Sequence, residues 1–383
     1  MLGVAEQLMP YQKPSQKIEM TEFFSPKGSI KEEVRAFPVS FMRRPLFLFT
    51  FFWILISSCE APKREAVING TTMGTTYQIK LVLQQDLGTP QTLKVGIDSI
   101  FAQVNRQMSL YQYGSEINAF NRSLSTEPFP VSEEFAFVVR RALHWSVVTD
   151  GAFDITIFPL LFLWGFGPGR ETEPLTIFPD SAAVQKRLAH VGYGKMKVKK
   201  KTLIKNDPRV MVDLNAIAKG FGVDAVYEHL ESQGVAHMMV EIGGEVRVRG
   251  KNKNNQFWII AIERPHLSAD LERAFDWICE PEEGAVATSG DYRNFFEVDG
   301  ELFSHEIDPR SGYPAKTKVA SATITAPNCT DADALATALI IMGEKEGLQL
   351  VEAMDGVEAF LILREGRDQF RWVKSSGMKI RER

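Results

Sequence analysis

Between Thr330 and Gly343 the chain reads TDADALATALIIMG, a run rich in Ala, Leu and Ile that also carries Thr330, Asp331, Asp333 and Thr337. At about 100° per residue, Asp333 and Thr337 fall on one helical face with Ile340 and Ile341, while Leu335, Leu339 and Met342 crowd the other. Neither face is suited to solvent. Two chemistries fit. Thr330 followed three residues on by Asp333 has the spacing of a capping box, whose oxygens satisfy orphan N–H groups at a helix start. Thr337 lies one turn deeper, outside such a box. A carboxylate and a hydroxyl on adjacent turns also offer two hard oxygen ligands to magnesium, a cation that prefers oxygen and often shares itself with a phosphate. On this segment alone both readings stand.

Other segments combine glycine with polar side chains in ways a packed core does not require. In TTMGTTY (Thr71 to Tyr77), hydroxyl residues surround Gly74 just before a strand, which suits a plain turn or a loop presenting N–H groups to an anion. Asp150-Gly-Ala-Phe-Asp154 leads into Phe158-Pro-Leu-Leu-Phe-Leu-Trp164-Gly-Phe-Gly167, an acidic loop joined to an aromatic segment that either packs as core or faces a flat ring. Asp213 and Lys219 set opposite charges near an element boundary, as a salt bridge or as a site pair. Ala287-Thr-Ser-Gly-Asp-Tyr292 again puts hydroxyls beside glycine. Ser304-His-Glu-Ile-Asp308-Pro-Arg-Ser-Gly312 places His305 just before an Asp-Pro turn, where an imidazole could act as general base.

The elements that must position these residues alternate without low-complexity linkers from about residue 66. Tyr77 to Leu83 alternates as a strand, and Leu93 to Met108 has apolar residues at helical spacing. A further helix precedes the Asp150-Gly151 turn. Val210 to Leu214 reads as a strand running into a helix from about Ala216 to Gln233, stopped by Gly234. His237 to Ile242 reads as a buried strand, and Glu245 to Arg249 as a strand with one polar face. Strands follow around Trp258 to Ile262 and Ala320 to Thr325. The mixed order predicts an α+β fold with largely antiparallel sheets and packed helices rather than a doubly wound parallel sheet. No dinucleotide GxGxxG or P-loop motif is present.

The 383 residues are 44% hydrophobic and 24% charged, enough to bury a substantial core in one large domain or two smaller ones. A formal charge of -4 gives no general attraction for nucleic acid, and the basic run Lys195 to Lys201 alternates as a strand's solvated face. Cys59, Cys279 and Cys329 fit neither zinc spacing nor a disulfide framework. The amino-terminal region is more specific. Met42-Arg-Arg precedes PLFLFTFFWILISSC, whose apolar run from Pro45 to Ile56 is too short to span a bilayer comfortably and ends in small residues, the pattern of a secretory signal. Ile56-Ser57-Ser58-Cys59 resembles a bacterial lipobox, in which Cys59 is lipidated and becomes the first mature residue. The expected organisation is residues 1–41 as a disordered leader or an over-extended start, with translation then beginning at Met42; 42–58 as signal peptide; 59–69 as a short tether; and 70–383 as the functional domain.

Together these motifs resemble, in order and spacing, the ApbE family of FAD:protein FMN transferases. The resemblance runs from about Gly70 to Gly343. It is carried by TTMGTTY, Ser109-Leu-Tyr111 with Ser115-Glu, GAFD with WGFG, VDLNAIAKG, EIGGEVRVRG, ATSGDY, HEIDPRSGYPA and DADALATAL. Asn215 and Glu306 depart from the family's pattern. The resemblance implies an ApbE-like, T-fold-related architecture in an exported lipoprotein facing the periplasm or cell exterior. It implies an FAD site lined by Met73, Tyr111, Ala152, Phe153, Asp154, Asp213, Lys219 and Ile307. It further implies magnesium held by the Ala216 main-chain oxygen with Asp333 and Thr337, and His305 as general base. The implied reaction moves FMN from FAD to a threonine hydroxyl of an acceptor protein through a phosphoester, releasing AMP, the acceptor being typically a subunit of a membrane redox complex. The alternatives are an FAD pyrophosphatase, with water in place of threonine, and an FAD-binding lipoprotein without chemistry.

Overall fold

The computed structural model describes residues 64–83, 88–169, 178–265, 275–290, 306–366 and 369–383, with the backbone alone at 295–298 and 301–304. The signal segment, Cys59 and His305 lie outside the described residues. The scaffold is one eight-stranded sheet: β1 (Arg64–Thr72), β2 (Thr75–Leu83), β3 (Met238–Ile242), β4 (Glu245–Arg249), β5 (Glu283–Gly290), β6 (Val319–Ala326), β7 (Glu358–Arg364) and β8 (Phe370–Lys374). The strands lie in chain order, and every neighbouring pair is antiparallel. Because β1 begins at Arg64, residues 64 to 69 belong to the sheet and not to a tether. The expected α+β class with antiparallel pairing is what the chain forms.

Helices enter as insertions between these strands. Between β2 and β3 lie α1 (Pro90–Met108), α2 (Glu116–Arg122), α3 (Glu133–Val148), α4 (Phe158–Leu163), α5 (Ser181–Leu188) and α6 (Asn215–Ser232), and α7 (Cys329–Glu352) connects β6 to β7. Helices α6 and α7 pack on each other, α6 also on β3, β4 and α1, and α7 on β5 and β6. Alternation along the strands builds two faces. Ala285 and Ala287 of β5 join the core beneath the helices, while Val286 points oppositely and packs with Val82, Met239, Val246, Val248 and Trp258. A small sheet of Ile260–Glu263, Phe275–Cys279 and Arg381–Glu382 covers that second side, its Ile262 and Trp277 packing with Phe360 and Ile362. None of the described helices is long and apolar enough to cross a membrane.

One local expectation changes. Val210 to Leu214 joins no sheet, because side chains take several of its backbone groups. The Asn121 amide donates to the Val212 carbonyl at 2.9 Å and accepts from the Val212 N–H at 2.8 Å, while Lys205 Nζ donates to the Val210 carbonyl at 3.0 Å. The ladder a strand would use is thereby occupied. The strand β4 has the polar face its sequence suggests. Glu245, Arg247 and Arg249 lie under α6, where Arg247 pairs with Asp224 and Arg249 with Glu231.

Candidate functional site

The hairpin linking β1 to β2 turns on Met73 and Gly74 alone, with Thr72 opposite Thr75. Both central residues have positive φ, 51° and 75°, the signature of a type I′ turn and an uncommon backbone for methionine. The turn aims Met73 at α6: a Cβ added at Gly222 would stand 3.3 Å from the Met73 sulfur and 3.3 Å from Ile242 Cδ1. TTMGTTY is a hairpin turn, and it delivers a thioether against the helix. Tyr111 sits in the loop after α1 and is 60% exposed. Asn118 Nδ2 fixes that loop by donating to the Leu110 and Gln112 carbonyls at 2.8 and 2.9 Å.

The segment from Gly151 to Asp154 follows α3 as a compact turn. Ala152 and Phe153 bury their side chains, and their N–H groups already donate to the Thr149 carbonyl and hydroxyl. Asp154 is committed as well. Its Oδ1 accepts from the Thr156 N–H and hydroxyl, and its Oδ2 from the Tyr193 N–H. Burial pushes the Asp154 pKa up, and those donors pull part of the way back. In the aromatic stretch beyond it, Phe162 stays exposed, while Trp164 is buried, donates from Nε1 to the Gly312 carbonyl at 2.8 Å, and clusters with Leu160 and Ile307. Ile307 is therefore a buried wall. The loop that follows it is tied at Asp308, whose carboxylate accepts from the Arg310 N–H and guanidinium and whose carbonyl accepts from the Gly312 N–H.

Two of these pieces reach α6: Met73 against Gly222, and the Asp154 segment at the helix's approach. The Asp213 N–H donates to the Ile155 carbonyl at 2.8 Å, joining the Asp154 segment to the approach of the helix. Asp213 is 8% exposed, and burial raises its pKa to about 6 against N–H donation from the Asn215 backbone and side chain. Asn215, a departure from the family's pattern, is thus Asp213's partner. One turn on, Lys219 Nζ lies 2.7 Å from Glu245 Oε1 and 3.6 Å from Asp333 Oδ1. Burial disfavours the Lys219 charge, but Asp333 and Glu245 outweigh it and hold its pKa above the ordinary lysine value. Burial likewise raises Glu245, with Lys219 opposing.

Asp333 is 1% exposed. It is not a cap. Helix α7 starts earlier than the Thr330 spacing suggests, with Asn328 as N-cap accepting from the Asp331 N–H at 2.9 Å and donating back to the Asp331 carboxylate at 2.7 Å. Thr330 and its N–H instead donate to Asp224 of α6, and Asp331 pairs with Arg141 and Trp145. Asp333 then reaches across to α6, where its Oδ2 accepts from the Gly220 N–H at 2.9 Å. A helical N–H points at the carbonyl four residues earlier, so this contact sets the carboxylate beside the Ala216 carbonyl. Only glycine allows the approach, since a Cβ at Gly220 would stand 2.3 Å from the Cys329 carbonyl oxygen. Thr337, on the next turn of α7, meets the Ser289 hydroxyl at 3.1 Å.

The donor set tests well against magnesium. Among the described residues no three His, Cys, Asp or Glu side chains gather as a metal cluster. The residues the family reading names offer one carboxylate, one hydroxyl a turn further along α7 and one carbonyl on the facing helix, all hard oxygens of the kind magnesium takes together with water and phosphate. Beside them Glu245 Oε2 is buried without a hydrogen-bond partner. Glu245 is the residue the sequence reading passed over. Its only signal was a glutamate at the first position after Gly243-Gly244, on the face later found beneath α6.

Residues 73–361 match the ApbE family. The FAD:protein FMN transferase of Vibrio cholerae serotype O1 is 42% identical over 326 residues, 85% of this chain and 95% of that protein. The Haemophilus influenzae protein of the same name is 39% identical over 315 residues, 81% of this chain and 89% of its own. Among solved structures, the flavin transferase ApbE from Vibrio cholerae has a TM-score of 0.74 and 41% identity, covering 82% of this chain and 98% of that one. With the motifs arranged around α6 and α7 as described, and with likeness extending over most of both chains, this protein belongs to the ApbE family.

Proposed function

We infer that this chain transfers FMN from FAD to an acceptor protein, the reaction its relatives are named for, and that it does so with magnesium at Ala216, Asp333 and Thr337. The observation that carries the reading is the buried Asp333 carboxylate held beside Ala216 and Lys219, one turn from Thr337. A divalent cation there would neutralise pyrophosphate oxygens and stabilise departing AMP. Met73, Tyr111, the Ala152 to Asp154 segment, Asp213, Lys219 and Ile307 would bound the FAD. Because Ala152, Phe153 and Ile307 are buried and Asp154 accepts from Thr156 and Tyr193, that group would act through shape and main chain.

The acceptor is a threonine hydroxyl. Its oxygen bonds to the FMN phosphorus, the bond from that phosphorus to the bridging oxygen of AMP breaks, and the hydroxyl proton goes to His305. An imidazole with a pKa of about 6.5 is largely free to accept a proton at neutral pH. Export as a lipoprotein anchored through Cys59 would set the enzyme against the membrane, facing the periplasm or cell exterior, near redox-complex subunits as acceptors. Incubation with FAD, magnesium and acceptor distinguishes the outcomes: a covalently fluorescent acceptor supports transfer, free FMN with AMP indicates a pyrophosphatase, and unchanged FAD indicates binding alone. His305→Ala is expected to keep FAD affinity and lose transfer by about 10²–10⁴-fold. Near-native transfer, or loss of FAD binding outright, would remove His305 from the role of base.

A further inference from the structure

Lys219 stands between two buried carboxylates and contacts them unequally, 2.7 Å from Glu245 and 3.6 Å from Asp333. The two acids are not equally free to adjust. Asp333 is 1% exposed and is pinned through Oδ2 by the Gly220 N–H, at a point where α6 and α7 approach so closely that no Cβ fits. The lysine side chain is 29% exposed and has a flexible stem, so the ammonium is the partner able to move. Glu245, on β4, is what holds it back, and it does so with one oxygen while the other is left buried and unpartnered.

We propose that Glu245 is a positioning residue for the cation site: by binding the Lys219 ammonium it keeps that ammonium off Asp333 and leaves the Asp333 carboxylate to the divalent ion. The inference rests on the reading of Asp333 as a cation ligand. Without the Glu245 charge, a buried ammonium has one carboxylate left to pair with, and an unpaired buried charge is costly enough to drive the movement. Lys219 then closes on Asp333 and competes with the incoming ion for the same oxygens. Removing the glutamate also takes the group from two carboxylates and one ammonium, net -1, to neutral, which weakens its draw on a cation in the same direction.

The test uses Mn²⁺ as probe on the intact, FAD-free protein at about pH 8, with free Mn²⁺ read by electron paramagnetic resonance and folding checked by circular dichroism. Glu245→Gln is expected to weaken Mn²⁺ binding by about 10–100-fold, the usual size of an outer-ligand effect. Glu245→Gln with Lys219→Met removes the competing ammonium as well, and is expected to restore binding to within a few-fold of the wild type. Should the single variant fail to fold, Glu245→Asp, which keeps the charge and shortens the reach to Lys219, takes its place: weakened Mn²⁺ binding is expected and unchanged affinity overturns the role. Unchanged affinity in the single variant, or equally weak binding in both, overturns the positioning role. Asp333→Ala separates the two readings: loss of binding there with no effect of Glu245→Gln rejects only this inference, whereas wild-type binding by Asp333→Ala rejects the cation site itself.

Discussion

Asp213 shows how one buried carboxylate sets a measurable property. Its pKa is raised to about 6, so the folded chain binds that proton more tightly than the unfolded chain does. The sign follows from linkage: this contribution to stability is complete below the ordinary aspartate value near 4 and is lost as pH rises through about 6. A shift of roughly two units corresponds to something on the order of 3 kcal/mol. Urea denaturation between about pH 4 and 7 is therefore expected to show the wild type losing that much relative to Asp213→Asn, which has no proton to lose. Parallel pH profiles for the two proteins would mean that Asp213 pays no burial penalty on ionisation. At this scale the sequence disclosed the residue types well. Asp213, Lys219, Asp333 and Thr337 were all legible as candidates, but that Asn215 partners Asp213 and Glu245 partners Lys219 was not, because hydrogen-bond partners are fixed by packing.

The contact between α6 and α7 brings Lys219 and Asp333 to within 3.6 Å of each other. Its tightest point is Gly220, where a methyl group would meet the main chain of Cys329 at 2.3 Å. Main chain cannot swing aside, so Gly220→Ala is expected to cost about 1–3 kcal/mol or more as the helices separate. Gly222→Ala meets only the movable ends of Ile242 and Met73 at 3.3 Å and is expected to cost clearly less. Thermal unfolding of the two variants side by side checks this, and equal losses would show that the Gly220 contact is not the constraint. Helix α6 itself was readable to within one residue at each end, Ala216 to Gln233 against Asn215–Ser232, from periodicity and the Gly234 stop. The stretch before it reads as a strand because Val210 and Val212 carry strand propensity, whereas Asn121, remote in sequence, and Lys205, five residues before Val210, claim their backbone.

The whole molecule presents its site on an unbroken antiparallel sheet whose edge strand begins at Arg64, only five residues after Cys59. Lipid attachment at Cys59 would therefore keep the domain close to the membrane surface. The exported protein is expected to begin at a lipidated Cys59, which intact-mass measurement checks directly. A mature chain that retains Pro45 to Ile56 without modification would sink the lipoprotein proposal. A native peptide from residues 1 to 41 would show that translation begins upstream of Met42.

The sequence by itself determined the kinds of elements, much of their order, the antiparallel α+β class and the chain of motifs that marks the family. It could do so because period, turn chemistry and helix stops are written within a few residues of one another. Only the tertiary structure decided that Asp333 leaves its own helix cap to Asn328 and reaches Gly220, that Lys219 belongs first to Glu245, and that the polar face of β4 is roofed by α6. Burial and pairing are properties of facing surfaces, and which surfaces face is settled when α6, α7 and the sheet close on each other.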